Sequence, residues 1–451
     1  MAKALATVLS ALITLSPLTA AAADLVPAPG GAEELVPDDR SWVSVAAEKR
    51  EERSVLVDCG LSIEKVGSDH VEGIADPSVL ACVKKAGFKV LSAKALASFD
   101  PKDFPPQDSA YHNLQEMDEE FKKIVDGMGG GASVGAIGKT VQGREIKVLR
   151  MGGGSGKPGV LLMGTHHARE HISTEVPLQI GSWLAANAKD PGVAGMLKNR
   201  DIYILPVVNP DGVEYDIADG RYRWQRKNMR KNPDGSTGVD LNRNYGYAWG
   251  QGGASTSPGS ETYRGPEAFS EPETKAVRDF LKSHPNITVV VTYHAYGDSV
   301  QYPWSYSYDP IPEPKAMAAF KAIGGKMGEL TGYESIQSSD MYISSGDTCD
   351  WVWGELKMFC MTVELSGGSF YPGASIIGPT VEKNLKAALY LFDIADDPYR
   401  AGRSDAMVEK VDLDEKTEGA LAKGEDARSL KEKLDRVAKT SAEPAALYDG
   451  R

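Results

Sequence analysis

Apolar and polar positions along the chain change their pattern several times. Residues 24–45, including "DLVPAPGGAEELVPDDRS", mix Pro, Gly, Ala and acid without periodicity and read as a linker. Across residues 46–99 short apolar runs are separated by polar turns. Of these, "RSVLVDCG" predicts a strand, "DPSVLACVKKAGF" a short helix entered through Asp76 and Pro77 and closed by Gly87, and "FKVLS" another strand, together a small α+β unit. Residues 100–110, within "SFDPKDFPPQDS", have the proline and acid content of an exposed, cleavable junction.

From residue 111 to 398 the runs lengthen. "PGVLLMGTHH", "RDIYILPVVNPDG", "ITVVVTYHAYG" and "MFCMTVELSGG" are strand-length and apolar on both faces, whereas "ISTEVPLQIGSWLAANA" has helical spacing. "SEPETKAVRDFLKSH" opens on Ser270 with Glu273 three places on, the signature of a capping box. The pattern predicts one α/β domain, its mixed and largely parallel central sheet flanked by helices, with chemistry at the strand ends. Residues 399–451 are charged and nearly free of aromatics, a solvated tail with a helix expected at 427–438.

Composition narrows the class. The formal charge of -13, from 63 acidic against 50 basic side chains, argues against nucleic acid or an anionic membrane as partner. Residues 1–23 join one lysine, an apolar run and a small-residue end, as a signal peptide does. A membrane anchor is the alternative, but the run is short and broken by Pro17, and nothing later is long enough to span. The expected location is secreted or periplasmic. The "GGGSGKPG" stretch lacks the Ser or Thr that follows the lysine of a phosphate loop and is set aside.

The segment "GTHHAREHIS" concentrates three histidines, an arginine and a glutamate. A catalytic divalent-metal site needs three protein ligands and an open position. His167 and Glu170 can converge from a strand end and the first helical turn, and His294, at the end of "ITVVVTYH", can reach the same sheet edge. His167 with His171 is a rival pair, four apart on a helical face. His166 points to the opposite side of the strand and is expected to be structural.

Seven motifs in order, "GTHHAREHIS", "NPDG", "RWQRK", "GVDLNRNY", "TYHAYG", "DTCDW" and "MTVELSGG", resemble zinc metallocarboxypeptidases of the carboxypeptidase A and B type over residues 111–396. The unit at 46–99 resembles that family's propeptide. The resemblance implies one Zn2+ per chain on His167, Glu170 and His294, Glu364 as general base for a metal-activated water, and Arg226 as oxyanion stabiliser. It implies that Asn242 and Arg243 clamp the substrate's terminal carboxylate, that Tyr342 caps it, and that Arg169 lies further along the cleft. Cys349 would floor the terminal-residue pocket, Asp347 would add a carboxylate if it points inward, and Asp350 is expected to be structural.

The same resemblance implies a proenzyme, cut by an activating protease, that acts on peptide or protein C-termini as a monomer. Apolar ends should be cut, basic ends accepted and acidic ends rejected. Ala295 stands where the family often has serine, which touches subsites rather than the metal. Pairing Cys59 with Cys82 and Cys349 with Cys360 is the arrangement that lets a propeptide leave without remaining linked. Two other readings share the scaffold: an enzyme cleaving cell-wall peptides, and a non-catalytic binding protein, which would be expected to lack the base or a ligand.

Overall fold

The computed structural model describes residues 39–95, 104, 108, 110–154, 156–218 and 222–403. The signal-like segment and the helix expected at 427–438 lie outside the described residues.

The first unit is a four-stranded sheet in the order β2-β3-β1-β4, formed by β1 (Ser41–Ala46), β2 (Ser62–Val66), β3 (His70–Ala75) and β4 (Val90–Ala95). Two helices, α1 (Arg50–Asp58) and α2 (Pro77–Lys85), pack on it. Helix α2 follows its signals: the Asp76 carboxylate accepts the N–H groups of Ser78 and Val79, and Gly87 takes a positive φ beyond the last turn. Two expectations are corrected. Strand β1 begins inside the stretch read as linker, because Val43 and Val45 alternate into the core. "RSVLVDCG" is helical and not a strand: Leu56 and Val57 are buried while Val55 is exposed. The helix starts upstream of the apolar run, where Glu52 accepts the N–H groups of Glu48 and Lys49.

The large unit holds an eight-stranded sheet in the order β11-β10-β12-β9-β7-β8-β6-β5. In chain order come α3 (Leu114–Met128), β5 (Ala132–Lys139), β6 (Glu145–Gly152), β7 (Gly159–Gly164), α4 (Ile172–Ala186), α5 (Pro191–Asn199), β8 (Asp201–Leu205) and α6 (Pro210–Ile217). Then come α7 (Pro272–Ser283), β9 (Ile287–Ala295), β10 (Ser299–Tyr302), α8 (Pro314–Thr331), β11 (Glu334–Gln337), α9 (Thr348–Leu356), β12 (Phe359–Leu365) and α10 (Ile377–Ile394). The four central strands, β12, β9, β7 and β8, run parallel and are buried on both faces, so alternate residues enter different cores. Val160 and Leu162 pack towards α3, α4, α8 and α10, while Leu161 and Met163 pack towards α7 and α9. The register pairs Glu364 with His294 and Gly164 with Tyr293, which brings the carboxyl ends of β12, β9 and β7 to one edge.

Both expected disulfides are present, Cys59–Cys82 between the helices of the small unit and Cys349–Cys360 between α9 and β12. The junction at 100–110 is less exposed than expected at two positions. Phe104 and Asp108 are buried, Phe104 against Tyr111 and His171, and Asp108 beneath the Tyr222 hydroxyl. Beyond 398 the turn Pro398–Gly402 continues the folded body, with Tyr399 packed on Phe359.

The capping box expected at Ser270 is also corrected. Helix α7 starts at Pro272 behind Glu271, and Ser270 bonds outward to Glu271 and Asn244. Glu273 is buried instead, accepting the Val141 N–H and the Asn228 amide, and burial pushes its carboxyl up to about 7. The unfolded value is lower, so ionising Glu273 costs stability progressively as pH rises from about 4.5 to 7. Glu273→Gln should therefore match the wild-type melting temperature near pH 4.5 and exceed it at pH 8. A mutant that gains nothing between those pH values in thermal unfolding contradicts this reading of the site.

Candidate metal centre and substrate cleft

Strand β7 ends in a tight turn. A Cβ on Gly164 would lie 1.9 Å from the Ser173 carbonyl oxygen, so only glycine lets the strand end pack against the start of α4. Thr165 then adopts a positive φ of 51°, held by Ser173 and Thr174, whose hydroxyls lie 2.9 and 2.7 Å from its own. That turn throws His166 and His167 to opposite sides. His166 is fully buried near Tyr245 and Thr292, and burial drives its pKa well below the usual value.

His167, Glu170 and His294 converge. The His167 Nδ1 lies 2.7 Å from Glu170 Oε1 and 3.2 Å from His294 Nδ1, and His294 Nδ1 lies 3.1 Å from Glu170 Oε2. One ligand-type atom from each lies within 4.8 Å of the others. Their outer atoms are tied down: His167 Nε2 is 3.1 Å from Asp240 Oδ1, His294 Nε2 is 3.2 Å from Thr292 Oγ1, and the Ala295 N–H donates to Glu170 at 3.1 Å. Burial alone would raise the Glu170 pKa, but the two histidines outweigh it and hold the carboxylate well below its usual range. Two imidazoles and a carboxylate, buried, mutually facing and oriented from behind, suit zinc. The rival ligand His171 faces away, 2.8 Å from Asp216 and against Phe104, and does not join the cluster.

Asp240, which the sequence pattern does not single out, links this cluster to Arg226. Its Oδ2 accepts Arg226 Nε at 3.1 Å and its Oδ1 accepts the Asn242 N–H at 3.0 Å. Burial opposes its charge, yet Arg226 and His167 hold its pKa well below the ordinary value. Arg226 is also fixed through its backbone, since the carbonyls of Gln225 and Arg226 accept the N–H groups of Arg169 and Ala168. Glu364 enters from β12, beside a Gly297 whose absent Cβ leaves it room. Burial, and then the nearby Glu170, push its carboxyl up to about 8.

Nine of the eleven site residues expected from the sequence line one cavity: His167, Glu170, His294, Glu364, Arg226, Asn242, Arg243, Tyr342 and Asp347. Asn242 accepts the Thr348 N–H and hydroxyl. Arg243 is buried, donates to the Asn242 carbonyl and forms no ion pair among the described residues; its Nε has no partner. The other two sit elsewhere. Cys349 is locked in its disulfide inside the core and does not line the cavity. Arg169 lies behind Glu64 of the small unit, bonded to it and, at 2.8 Å, to Glu261. Asp347 faces the cavity but is not unpaired, since it caps α9 through the N–H groups of Cys349 and Asp350 and accepts the Asn242 amide. Asp350 takes the N–H groups of Ser305 and Tyr306 and is structural.

Comparison with known proteins agrees with this arrangement. The family model described as zinc carboxypeptidase, Peptidase M14, matches residues 117–387. A zinc carboxypeptidase of Saccharothrix mutabilis subsp. capreolus is 30% identical over 389 residues, 79% of this chain and 89% of that protein. Carboxypeptidase A1 of Rattus norvegicus is 32% identical over 346 residues, covering 73% and 80% of the two chains. In fold, the chain resembles carboxypeptidase A from Helicoverpa armigera with a TM-score of 0.64 at 22% identity, over 82% of this chain and 99% of that one. With a strand-edge His-Glu-His cluster in place and the family match running from α3 into α10, the chain belongs to the zinc carboxypeptidase family.

Proposed function

We propose that the protein is a secreted or periplasmic carboxypeptidase made as a latent proenzyme, using one zinc per chain to release C-terminal residues from peptides. The observation that carries the reading is Arg243. A buried guanidinium without an ion-pair partner among the described residues is costly, and in the same cavity as the His-Glu-His cluster it is suited to the carboxylate at a peptide's C-terminus. Asn242, fixed by Thr348, stands beside it, and Tyr342 closes the same wall.

Bound by His167, Glu170 and His294, zinc would polarise the scissile carbonyl and a water and, by its charge, draw Glu364 back towards its ionised form. Glu364 takes the proton from that water and delivers it to the leaving amine. Arg226, held by Asp240, faces the oxygen on which negative charge develops. A non-catalytic role is disfavoured, because the base and all three ligands are retained. Two disulfides suit an oxidising compartment. Among the described residues, no helix is long and apolar enough to cross a membrane.

Latency is supported by the small unit's contacts. Ile63 and Glu64 enter the cavity, Arg53 donates to the carbonyls of Asp340 and Met341, and the Ser54 hydroxyl accepts the Ile343 N–H. These bonds grip the segment that carries Tyr342, whose ring packs on the small unit's core. An activating protease cutting between residues 100 and 110 would release it, leaving an active monomer.

Elemental analysis should give one zinc per chain, and a chelator should abolish turnover. Glu364→Gln should keep the metal and lose roughly 100-fold or more in kcat. Near-normal turnover in that variant would remove Glu364 from the reaction. Cutting the 100–110 segment should raise hydrolysis of a short peptide many-fold, and an intact chain as active as the cut one contradicts latency.

A further inference from the structure

Resting on the reading of Glu364 as general base, we infer that Tyr333, Ser366 and Asp298 are positioning residues: together they brace the end of β12 and so fix where the Glu364 carboxylate points in the cleft.

The need for a brace follows from Glu364 itself. Its carboxylate forms no hydrogen bond or ion pair among the described residues, so no side-chain partner sets its aim. Its aim comes from the backbone that carries it. The ladder pairs Glu364 with His294 of β9 and Ser299 of β10, and it ends one residue later, at Leu365 opposite Ala295. Just past Ser366 stand Gly367 and Gly368, the second at a positive φ of 66°, a stretch with little stiffness of its own. A strand end beside two glycines frays unless other bonds hold it.

Ser366 gathers those bonds. Its N–H donates to the Tyr333 hydroxyl oxygen at 3.1 Å, the two hydroxyls lie 3.0 Å apart, and the Asp298 carboxylate accepts the Ser366 hydroxyl. Tyr333 is a firm anchor, since it is buried and its oxygen lies 3.5 Å from the Asn384 amide of α10. Asp298 is held too: its carbonyl accepts the Glu334 N–H at 2.9 Å, and Gly297 beside it donates to the Leu365 carbonyl at 3.1 Å. The loop so fixed lies along the base, because a Cβ on Gly297 would come within 3.1 Å of Glu364 Cβ and 3.5 Å of its Cγ. None of the three bracing residues lines the cavity. They act through Glu364, and a base displaced by about 1 Å from the proton it takes can cost up to roughly 100-fold in rate.

Kinetics on the nicked, zinc-loaded chain with one short peptide test this. Tyr333→Phe removes the hydroxyl and keeps the ring, and should lower kcat roughly tenfold with KM changed less than about twofold. Ser366→Ala keeps the N–H bond and should lose less, and Ser366→Thr should recover most of that loss. In the Glu364→Gln background Tyr333→Phe should cost nothing further, because the brace works only through that side chain. Hydrogen exchange on the intact, metal-free chain reads the brace without turnover: amides at 364–368 should exchange several-fold faster in Tyr333→Phe than in the wild type. Unchanged exchange overturns the brace, as does faster exchange with unchanged kcat, or a loss of the same size with and without Glu364→Gln. Near-normal turnover of Glu364→Gln alone overturns the base reading and the inference with it, whereas each of the other adverse results leaves Glu364 as base.

Discussion

The carboxylate of Asp240 is the contact on which the site depends. It is completely buried, and ionised it would be costly to keep there alone. Three donors justify it: one oxygen faces His167 Nε2 and accepts the Asn242 N–H, and the other accepts Arg226 Nε. A single anion thereby sets the ring orientation of His167, the position of Arg226 and the entry to the turn Leu241–Arg243 that carries Asn242 and Arg243. Through it the His-Glu-His cluster and Arg226 form one rigid electrostatic unit.

That rigidity separates two arginines of similar burial. Arg226 is neutralised by Asp240 within the protein, which on the proposed function leaves its remaining N–H groups for a charge that develops only during reaction. Arg243 has no such anionic partner among the described residues, and on the proposed function a substrate carboxylate would supply it. Arg169 is a third case, neutralised from one side by Glu261 and from the other by Glu64 of the small unit. Three buried guanidinium groups near the metal cluster thus differ in which internal anions hold them.

The sequence is most legible where one strong constraint acts alone. Apolar runs such as "PGVLL" and "ITVVV" can only be buried on both faces, so the central sheet and the strand-end location of His167, His294 and Glu364 are readable from them. Reading fails where local and distant demands compete. Val55, Leu56 and Val57 look like a strand until Glu52 is seen to bond the backbone just ahead of them. Ser270 and Glu273 match a cap by spacing, but Asn228 and Val141 draw Glu273 inward. For Cys349 the expected disulfide with Cys360 is present, while the pocket-floor position that the resemblance implies is not among the cavity's lining. Asp240 stands inside the motif "GVDLNRNY", two places before Asn242, but its partners are 73 and 14 residues away and no local pattern announces them.

The central claim is that a buried Arg243, without an ion-pair partner among the described residues and beside the metal cluster, makes the enzyme read a chain end. Hydrolysis of one short peptide, with its terminal carboxylate free and with the same carboxylate converted to an amide, tests this most directly on the nicked, zinc-loaded chain. The amide keeps the shape and removes the charge. The expected result is a loss in kcat/KM of roughly 100-fold or more, since a buried charged donor left unpaired forfeits several kcal/mol. Equal hydrolysis of the two peptides would contradict the claim.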